Sequence, residues 1–346
     1  MPSAEPRLVW EAHAGQPASA ALDVIAQLAC RAPQPFDDIE EFRRRYEACR
    51  KPFLADRVAV DSVFHVHPRG GDGPAVSVIR PAGSTGRKAM PALLFLHGGG
   101  WTAGTFDIYE PLCRQLANAT AGIVIYVHYR LAPEHPFPAA FEDARAALRW
   151  AHANQGWLGI DPDRIGLAGD GAGGNLAAAV CLAECNEATG YQPHRQILLY
   201  PCLDMSACMP SHKAMGDRYL LTDKTHRWYR QNYAAGHGKP GLWRLSPLFA
   251  YDVSLLPPSV VLYAGFDPLR DEAAAYAGRL RENGVPVETL YFPDMIHDFM
   301  LLGGALPAAD VAVRRVAQAI AGLPAARPRK QGFASGPGIC ALRDEA

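Results

Sequence analysis

The sequence has almost no net charge and no long apolar run, and both absences exclude classes of partner. Its 34 Lys and Arg residues nearly balance 35 Asp and Glu residues, which leaves a formal net charge of −1. Nucleic acids and anionic membrane surfaces are bound through an excess of positive charge, so neither partner is predicted. No stretch approaches the roughly 18 consecutive apolar residues of a membrane-spanning helix, and no membrane span is predicted.

Neither a secretory signal nor a disulfide framework is predicted. The first residues of the chain show no basic segment followed by a continuous apolar stretch. The eight cysteines are widely spaced over 346 residues, which is typical of free thiols in a reducing compartment, so a cytoplasmic protein is predicted. Cys181 and Cys185 lie one helical turn apart without a His or Cys partner at ligand spacing. They are predicted to be buried thiols, and no metal site is predicted.

Apolar residues are abundant enough for a large folded domain. Hydrophobic residues make up 49% of the chain and charged residues 20%, which excludes a disordered protein. Continuous apolar segments of strand length alternate with helical segments rich in Ala, Leu and Arg. This alternation predicts an α/β fold with a mostly parallel sheet covered by helices on both faces. The predicted strands are 57–66, 75–80, 92–96, 122–129, 164–169, 196–200, 259–263 and 287–292, and the predicted helices are 139–153, 174–187 and 271–282.

Three segments stand outside this alternation and suggest how the chain is divided. Residues 1–54 are predicted to form an N-terminal lid, because two amphipathic helical patterns occur between residues 18 and 50. The main domain is predicted to span 55–323, with 205–245 as a cap insertion without a clear strand. The segment 324–346 is rich in Gly, Pro, Arg and Lys without periodicity, and is predicted to be a flexible tail.

Two kinds of segment carry residues suited to chemistry. The run His-Gly-Gly-Gly-Trp at 97–101, called the glycine loop below, directly follows a predicted strand. Glycines there expose backbone N–H groups that can stabilise an oxyanion. Asp267 and His297 each follow a predicted strand. Because the carboxyl ends of parallel strands meet at one edge of a sheet, these two side chains are expected to pair.

A further segment has the form of a nucleophile elbow without its nucleophile. Residues 169–173 read Gly-Asp-Gly-Ala-Gly between a predicted strand and a predicted helix. A hydrolase with this strand–turn–helix pattern has Gly-x-Ser-x-Gly, with the attacking serine at the apex. The apex here is Gly171, which has no side chain. The chain order of the apex, Asp267 and His297 is otherwise that of an α/β-hydrolase triad.

Together these segments, with the proline-rich loop at 129–140, resemble the hormone-sensitive-lipase-like family of carboxylesterases, bacterial branch, over roughly residues 55–320. The resemblance implies an α/β-hydrolase fold, a small-molecule substrate and no cofactor, and it is compatible with a homodimer. It also implies site residues. His297 would be the general base oriented by Asp267, the backbone of Gly98, Gly99 and Ala172 would form the oxyanion hole, and Gly171 would hold the nucleophile position.

The aromatic residues Trp101 and Tyr219 are predicted to line or close an apolar substrate pocket, and Asp170, which flanks the apex, is assigned to the same pocket. His97 is predicted to pack beneath the glycine loop. Two positions depart from the family's pattern. Asp298 stands where the family usually has glycine, and is predicted to be a solvated turn acid. His128 stands where the family usually has an acidic residue.

The glycines of the elbow also match a dinucleotide-binding fingerprint. Gly169, Gly171 and Gly174 fit Gly-x-Gly-x-x-Gly between a strand and a helix. The acidic residue expected about 20 positions later is not convincingly placed, and a dinucleotide site would leave His297 unexplained. No nucleotide cofactor is therefore predicted.

Three hypotheses for function remain, because the acyl-enzyme route needs a hydroxyl that Gly171 does not supply. In the preferred one, the His297–Asp267 pair acts as a general base on a small apolar carbonyl or ester compound. The oxyanion hole then stabilises an enolate or alkoxide during elimination, cyclisation or carbon–carbon bond chemistry. In the second, the chain is a carboxylesterase of short-acyl or aryl esters inactivated by glycine at 171. In the third, it is a non-catalytic protein that binds a small molecule.

Overall fold

A computed structural model describes residues 16–29, 38–68, 73–236 and 239–326. These residues contain one eight-stranded sheet with the strand order β1-β2-β4-β3-β5-β6-β7-β8. The strands are β1 Ser62–Val66, β2 Val76–Arg80, β3 Met90–Leu96, β4 Ile123–Val127, β5 Ile160–Asp170, β6 Gln196–Leu199, β7 Ser259–Phe266 and β8 Val287–Ile296. Only the β1–β2 and β2–β4 pairs are antiparallel, which confirms the predicted mostly parallel sheet.

Helices cover both faces of the sheet, and this explains why the central strands read as continuous apolar runs. All four residues of β6, which pairs in parallel with β5 and β7, are buried, as expected for a strand covered on both faces. The helices are α1 Ser19–Ala29, α2 Ile39–Arg50, α3 Phe106–Thr120, α4 Ala139–Ala153, α5 Gln155–Leu158, α6 Ala172–Asn186, α7 Pro210–Met215, α8 Asp223–Ala234, α9 Arg270–Glu282 and α10 Ala308–Gly322.

Helix α6 fixes the position of the elbow. Its residues from Ala172 to Cys185 are all buried, and it packs against β5 and β6. Small residues let it approach β3 closely, since a Cβ on Gly173 would lie 1.9 Å from the carbonyl oxygen of Leu96. The first turn of α6 therefore sits directly against the end of β3, where the glycine loop begins.

The two helices predicted for the N-terminal lid are α1 and α2, and α2 contacts the cap segment. Phe42 of α2 packs against Trp228 of α8, with ring centroids 4.5 Å apart. The division into a lid, a main domain and a tail stays a prediction. Most of the predicted tail, 327–346, lies outside the described residues, as do 1–15 and 30–37 of the predicted lid.

Candidate active site

Gly171 occupies a turn with the backbone of a nucleophile elbow. Its φ of +49° and ψ of −111° lie where glycine is relaxed and other residues are strained. Its N–H donates to the Leu199 carbonyl at 3.0 Å, and its carbonyl accepts from the N–H of Cys202 at 3.0 Å. A Cβ at this position would lie 3.4 Å from Nε2 of His297, which is an ordinary contact. The turn thus has room for a side chain that faces His297.

The structure brings Asp267 and His297 together at the ends of β7 and β8. Phe266 pairs with Ile296 in the sheet, so the residues that follow them are neighbours. Asp267 Oδ2 lies 2.8 Å from Nδ1 of His297. Its other oxygen accepts a hydrogen bond from the N–H of Leu269 at 2.8 Å, so the carboxylate is held on both sides. This leaves Nε2 of His297 directed at the elbow.

The charges around His297 favour its protonated form. Burial lowers the pKa of His297, but Asp267, followed by Asp298 and Asp170, raises it, and the resulting pKa is about 9. At neutral pH the ring is therefore mainly an imidazolium ion. It becomes a base as the pH approaches 9, or when a substrate takes its proton.

Gly99, Gly100 and Ala172 form the part of the cavity wall suited to an oxyanion. Their amides have no hydrogen-bond partner among the described residues. Gly99 and Gly100 have φ values of +91° and +63°, which explains glycine at both positions. The amide of Gly98, by contrast, donates to Oδ1 of Asp170 at 2.7 Å. The Gly98 amide is therefore not available to an oxyanion as predicted, whereas the Gly100 amide is.

Asp170, next to the elbow apex, connects the elbow to the glycine loop through its hydrogen bond with Gly98. It is fully buried, and its Oδ2 accepts a hydrogen bond from the Tyr109 hydroxyl at 3.0 Å. Burial, followed by the nearby Asp298, raises the pKa of Asp170 to about 8 against the lowering effect of its hydrogen bonds. The prediction that Asp170 is a substrate-pocket residue is corrected, because both oxygens of its carboxyl group accept hydrogen bonds from buried protein groups.

A cavity opens over these groups and combines apolar and polar walls. Tyr229 of α8 lies over the glycine loop, since a Cβ on Gly100 would meet its ring at 2.1 Å. Helix α8 of the predicted cap segment therefore covers the loop, while the bounds of that segment, 205–245, stay a prediction. The lining residues are Tyr46, Arg50, Gly99, Gly100, Gly171, Ala172, Cys202, Leu220, Leu221, Thr225, His226, Tyr229, Leu269, His297 and Asp298.

Comparison with known proteins agrees with this geometry. A family model described as alpha/beta hydrolase fold matches residues 93–301. The chain belongs to the α/β-hydrolase family. It is 39% identical over 272 residues to the carboxylic ester hydrolase LipN of Mycobacterium tuberculosis, covering 77% of this chain and 71% of that protein. It is 35% identical over 285 residues to the ethyl acetate hydrolase of Pseudomonas putida, covering 82% and 90%.

Solved structures of esterases superpose on this α/β-hydrolase-fold chain over most of its length. An ester hydrolase from the metagenome of Lake Arreo, complexed with a bipyridine phosphonate derivative, matches with a TM-score of 0.82 and 34% identity. That match covers 88% of this chain and 98% of the other. The esterase of the archaeon Pyrobaculum calidifontis matches with a TM-score of 0.82 at 32% identity, with the same coverage. The resemblance to carboxylesterases is thereby confirmed.

Two aromatic residues of the hydrolase do not stand where they were predicted. Trp101 is buried and stacks on Tyr233, with centroids 4.4 Å apart. Tyr219 packs against Phe266 at 5.2 Å. Neither lines the cavity, because each ring is taken up by a packing partner. The prediction that both line the substrate pocket is therefore corrected.

His97 has the packing role expected for it. Its Nδ1 lies 2.7 Å from the carbonyl oxygen of Gly98, and its own carbonyl accepts a hydrogen bond from the Tyr129 hydroxyl at 2.6 Å. Burial lowers the pKa of His97 to about 3, so the ring is neutral. His128, the other departure from the family's pattern, lies 2.7 Å from the Ser77 hydroxyl through its Nε2, away from the lining of this cavity.

Asp298 is not a solvated turn acid, which corrects that prediction. It is 4% exposed, has a φ of +66°, and lines the cavity beside His297. Its Oδ2 accepts hydrogen bonds from Arg50 of α2, at 2.9 Å from Nη2 and 3.3 Å from Nε. The positive φ explains why glycine is usual at this position. In this chain the carboxylate instead connects the loop after His297 to the N-terminal helix α2.

Replacing Arg50 by methionine is expected to lower the free energy of unfolding by about 3 kcal/mol, because it leaves Asp298 buried without its partner. The double variant Arg50→Met/Asp298→Gly should recover most of this loss, which urea denaturation measures. Arg314→Met breaks an exposed pair with Asp310 and should change the unfolding free energy by less than about 0.5 kcal/mol. If the double variant were as unstable as Arg50→Met, the unpaired carboxylate of Asp298 would not be the cause of the loss.

A thiol and an imidazole that sequence reasoning missed also line the cavity. The Sγ of Cys202 lies 3.5 Å from Nε2 of His226. Burial, followed by Glu272, raises the pKa of Cys202 well above its usual value, and burial lowers that of His226. Both groups are therefore neutral. A protonated thiol is a poor nucleophile, so this pair does not replace the missing serine.

The described ranges offer no other obvious class of site. No group of three or more His, Cys, Asp or Glu side chains in them is arranged to hold a metal ion. None of the helices in these ranges has both the length and the apolar composition that crossing a bilayer requires.

Proposed function

We propose that this α/β-hydrolase acts on small apolar esters or ketone-bearing compounds by proton transfer, without forming an acyl-enzyme. The observation that carries the proposal is Gly171 at the apex of an otherwise complete elbow, with Nε2 of His297 3.4 Å from where a Cβ would stand. A base and an oxyanion hole are the two groups needed to form an enolate beside a carbonyl.

The reaction class that uses these parts most directly is β-elimination. In its neutral form, which is populated as the pH approaches 9, His297 removes through Nε2 a proton from the carbon next to the substrate carbonyl. Asp267 stabilises the imidazolium ion that forms. The electron pair moves to the carbonyl oxygen, which the amides of Gly99, Gly100 and Ala172 stabilise. The enolate then re-forms the carbonyl and expels the leaving group from the β carbon, and His297 returns the proton to it. The apolar walls from Leu220, Leu221 and Leu269 fit a small uncharged substrate.

A second candidate function is supported by the relatives. Two relatives of this chain are named carboxylic ester hydrolase and ethyl acetate hydrolase. Residue 171 retains space for a side chain facing His297. On this reading the chain is a carboxylesterase of short-acyl or aryl esters that glycine has silenced. A non-catalytic binding role is the remaining alternative.

The substrate 4-acetoxybutan-2-one distinguishes these functions, because elimination gives but-3-en-2-one whereas hydrolysis gives 4-hydroxybutan-2-one. We expect the chain to form but-3-en-2-one and acetic acid. A thiol traps the enone as it forms, and NMR measures the thiol adduct and the acetic acid. His297→Gln should lower this rate by at least about 100-fold. His135→Gln changes an exposed histidine outside the cavity; it is the matched control and should leave the rate unchanged. Formation of 4-hydroxybutan-2-one, or of neither product, would contradict the proposal.

A further inference from the structure

The hydroxyl of Tyr46 is a buried polar group that faces the candidate active site without a partner. Tyr46 lies on α2, is 2% exposed and lines the cavity. Its hydroxyl has no hydrogen-bond partner in the described part of the chain. The oxygen stands beside the glycine loop, since a Cβ on Gly99 would lie 3.3 Å from it. A donor is therefore placed next to the amides that face a substrate oxygen.

Buried hydroxyls without partners cost free energy, so each one requires an explanation. The hydroxyls of Tyr126, Tyr200, Tyr233 and Tyr276 share this condition. None of those four residues lines the cavity over Gly171. Tyr46 differs from them because it lines the cavity in which a bound substrate would supply the missing acceptor.

Neighbouring groups hold the Tyr46 ring and keep its hydroxyl protonated. The guanidinium carbon of Arg50 lies 3.6 Å from the ring centroid, and Arg50 is itself fixed by its hydrogen bonds to Asp298. A cation stacked on the ring draws electron density from it and strengthens the hydroxyl as a donor. Burial raises the pKa of Tyr46 well above its usual value, so the proton stays on the oxygen.

We propose that Tyr46 is a catalytic residue whose hydroxyl donates a hydrogen bond to the substrate oxygen as that oxygen becomes negatively charged. It adds a side-chain donor to the amides of Gly99, Gly100 and Ala172, whereas the Gly98 amide is committed to Asp170 at 2.7 Å. Arg50 and Asp298 are positioning residues that act through Tyr46. The inference rests on the site of the proposed function and adds to it that α2 completes the oxyanion hole.

The first test uses Tyr46→Phe in a Gly171→Ser background, where ester hydrolysis gives a direct assay. We expect kcat for p-nitrophenyl butyrate to fall about 100-fold, as when one oxyanion donor is removed, while KM changes less than about threefold. Tyr233→Phe removes an equally buried hydroxyl that lies outside the cavity, and should leave kcat unchanged. Equal effects of the two substitutions would overturn the proposal.

A transition-state analogue separates stabilisation of an oxyanion from a packing role. In the Gly171→Ser background, 1,1,1-trifluorobutan-2-one forms a hemiketal with the introduced serine, and its oxyanion occupies the hole. Its inhibition constant should rise in Tyr46→Phe by a factor similar to the fall in kcat. A residue that only packs would leave the inhibition constant unchanged while kcat falls, and that result would overturn the proposal.

A binding measurement on the parent chain does not depend on turnover. In water the same ketone is present as its hydrate, and in the parent chain the second hydroxyl of the hydrate can occupy the space beside Gly171. Fluorine NMR measures the binding of this hydrate. Its dissociation constant should rise about tenfold in Tyr46→Phe and stay constant in Tyr233→Phe, and no change in either would overturn the inference. Absence of but-3-en-2-one in the elimination assay would instead contradict only the proposed function.

Discussion

Gly171→Ser is expected to hydrolyse p-nitrophenyl acetate and butyrate at least about 10⁴-fold faster than the parent chain. The oriented His297, the free amides of the glycine loop and the backbone of the elbow already stand around residue 171. Removing the serine of a complete triad lowers kcat by about 10⁶-fold and leaves only the contribution of the oxyanion hole and binding. Supplying the hydroxyl should therefore recover a large part of that factor.

The same substitution should cost stability, because a serine is strained at the φ of Gly171. We expect Gly171→Ser and the control Gly171→Ala each to lower the free energy of unfolding by about 1–3 kcal/mol. Only the serine variant should gain hydrolysis, which excludes an indirect effect of the added Cβ. Rapid hydrolysis by the parent chain would contradict the claim that glycine closes the acyl-enzyme route.

Asp267→Asn in the Gly171→Ser background is expected to lower kcat for the same esters by about 10³–10⁴-fold. The amide no longer stabilises the imidazolium ion, nor does it hold the tautomer that leaves Nε2 free to accept a proton. Because Asp267 is the main group that raises the pKa of His297, the rise of activity with pH should also move to lower pH. A pH–rate profile of kcat/KM measures this shift.

Asp294→Asn changes an exposed acid on β8 and is the matched control, which should alter neither kcat nor the profile. Stability provides a second measurement. The pKa of His297 is raised to about 9 in the folded chain and is about 6.5 when unfolded. Its contribution is therefore complete below about pH 6.5 and is lost as the pH rises to 9. If Asp267→Asn preserved that loss between pH 6.5 and 9, Asp267 would not be its cause.

The extent of the strands shows how far local patterns predicted the fold. Helix α4 has the predicted bounds, because its apolar residues recur at helical spacing. Strand β7 was predicted to end at 263 but continues to Phe266 through Gly265. A Cβ on Gly265 would lie 1.9 Å from the carbonyl oxygen of Pro293, so this glycine permits close approach of β8. Such an approach depends on a neighbouring strand and is invisible in one segment's pattern.

Helices α3 and α10 were not predicted at all. Helix α3 contains Pro111, which normally indicates an interruption, and tertiary packing overrides this local preference. The predicted pocket failed for a related reason. Aromatic rings near the glycine loop were assigned to the substrate, whereas Trp101 is taken up by Tyr233. Which of several possible partners an aromatic ring packs against depends on how whole elements are arranged, and the sequence around the ring does not show this.

The sequence by itself determined the α/β class, the glycine loop, the elbow with Gly171 at its apex, and the pairing of Asp267 with His297. These features follow from short motifs at the ends of parallel strands, where topology alone brings them to one edge. Only the tertiary structure decided which groups surround them. Arg50 and Asp298 are 248 positions apart in the chain, and Tyr46 reaches the loop at Gly99 from the N-terminal helix. Contacts between such distant residues arise from packing of whole elements, which no local pattern encodes.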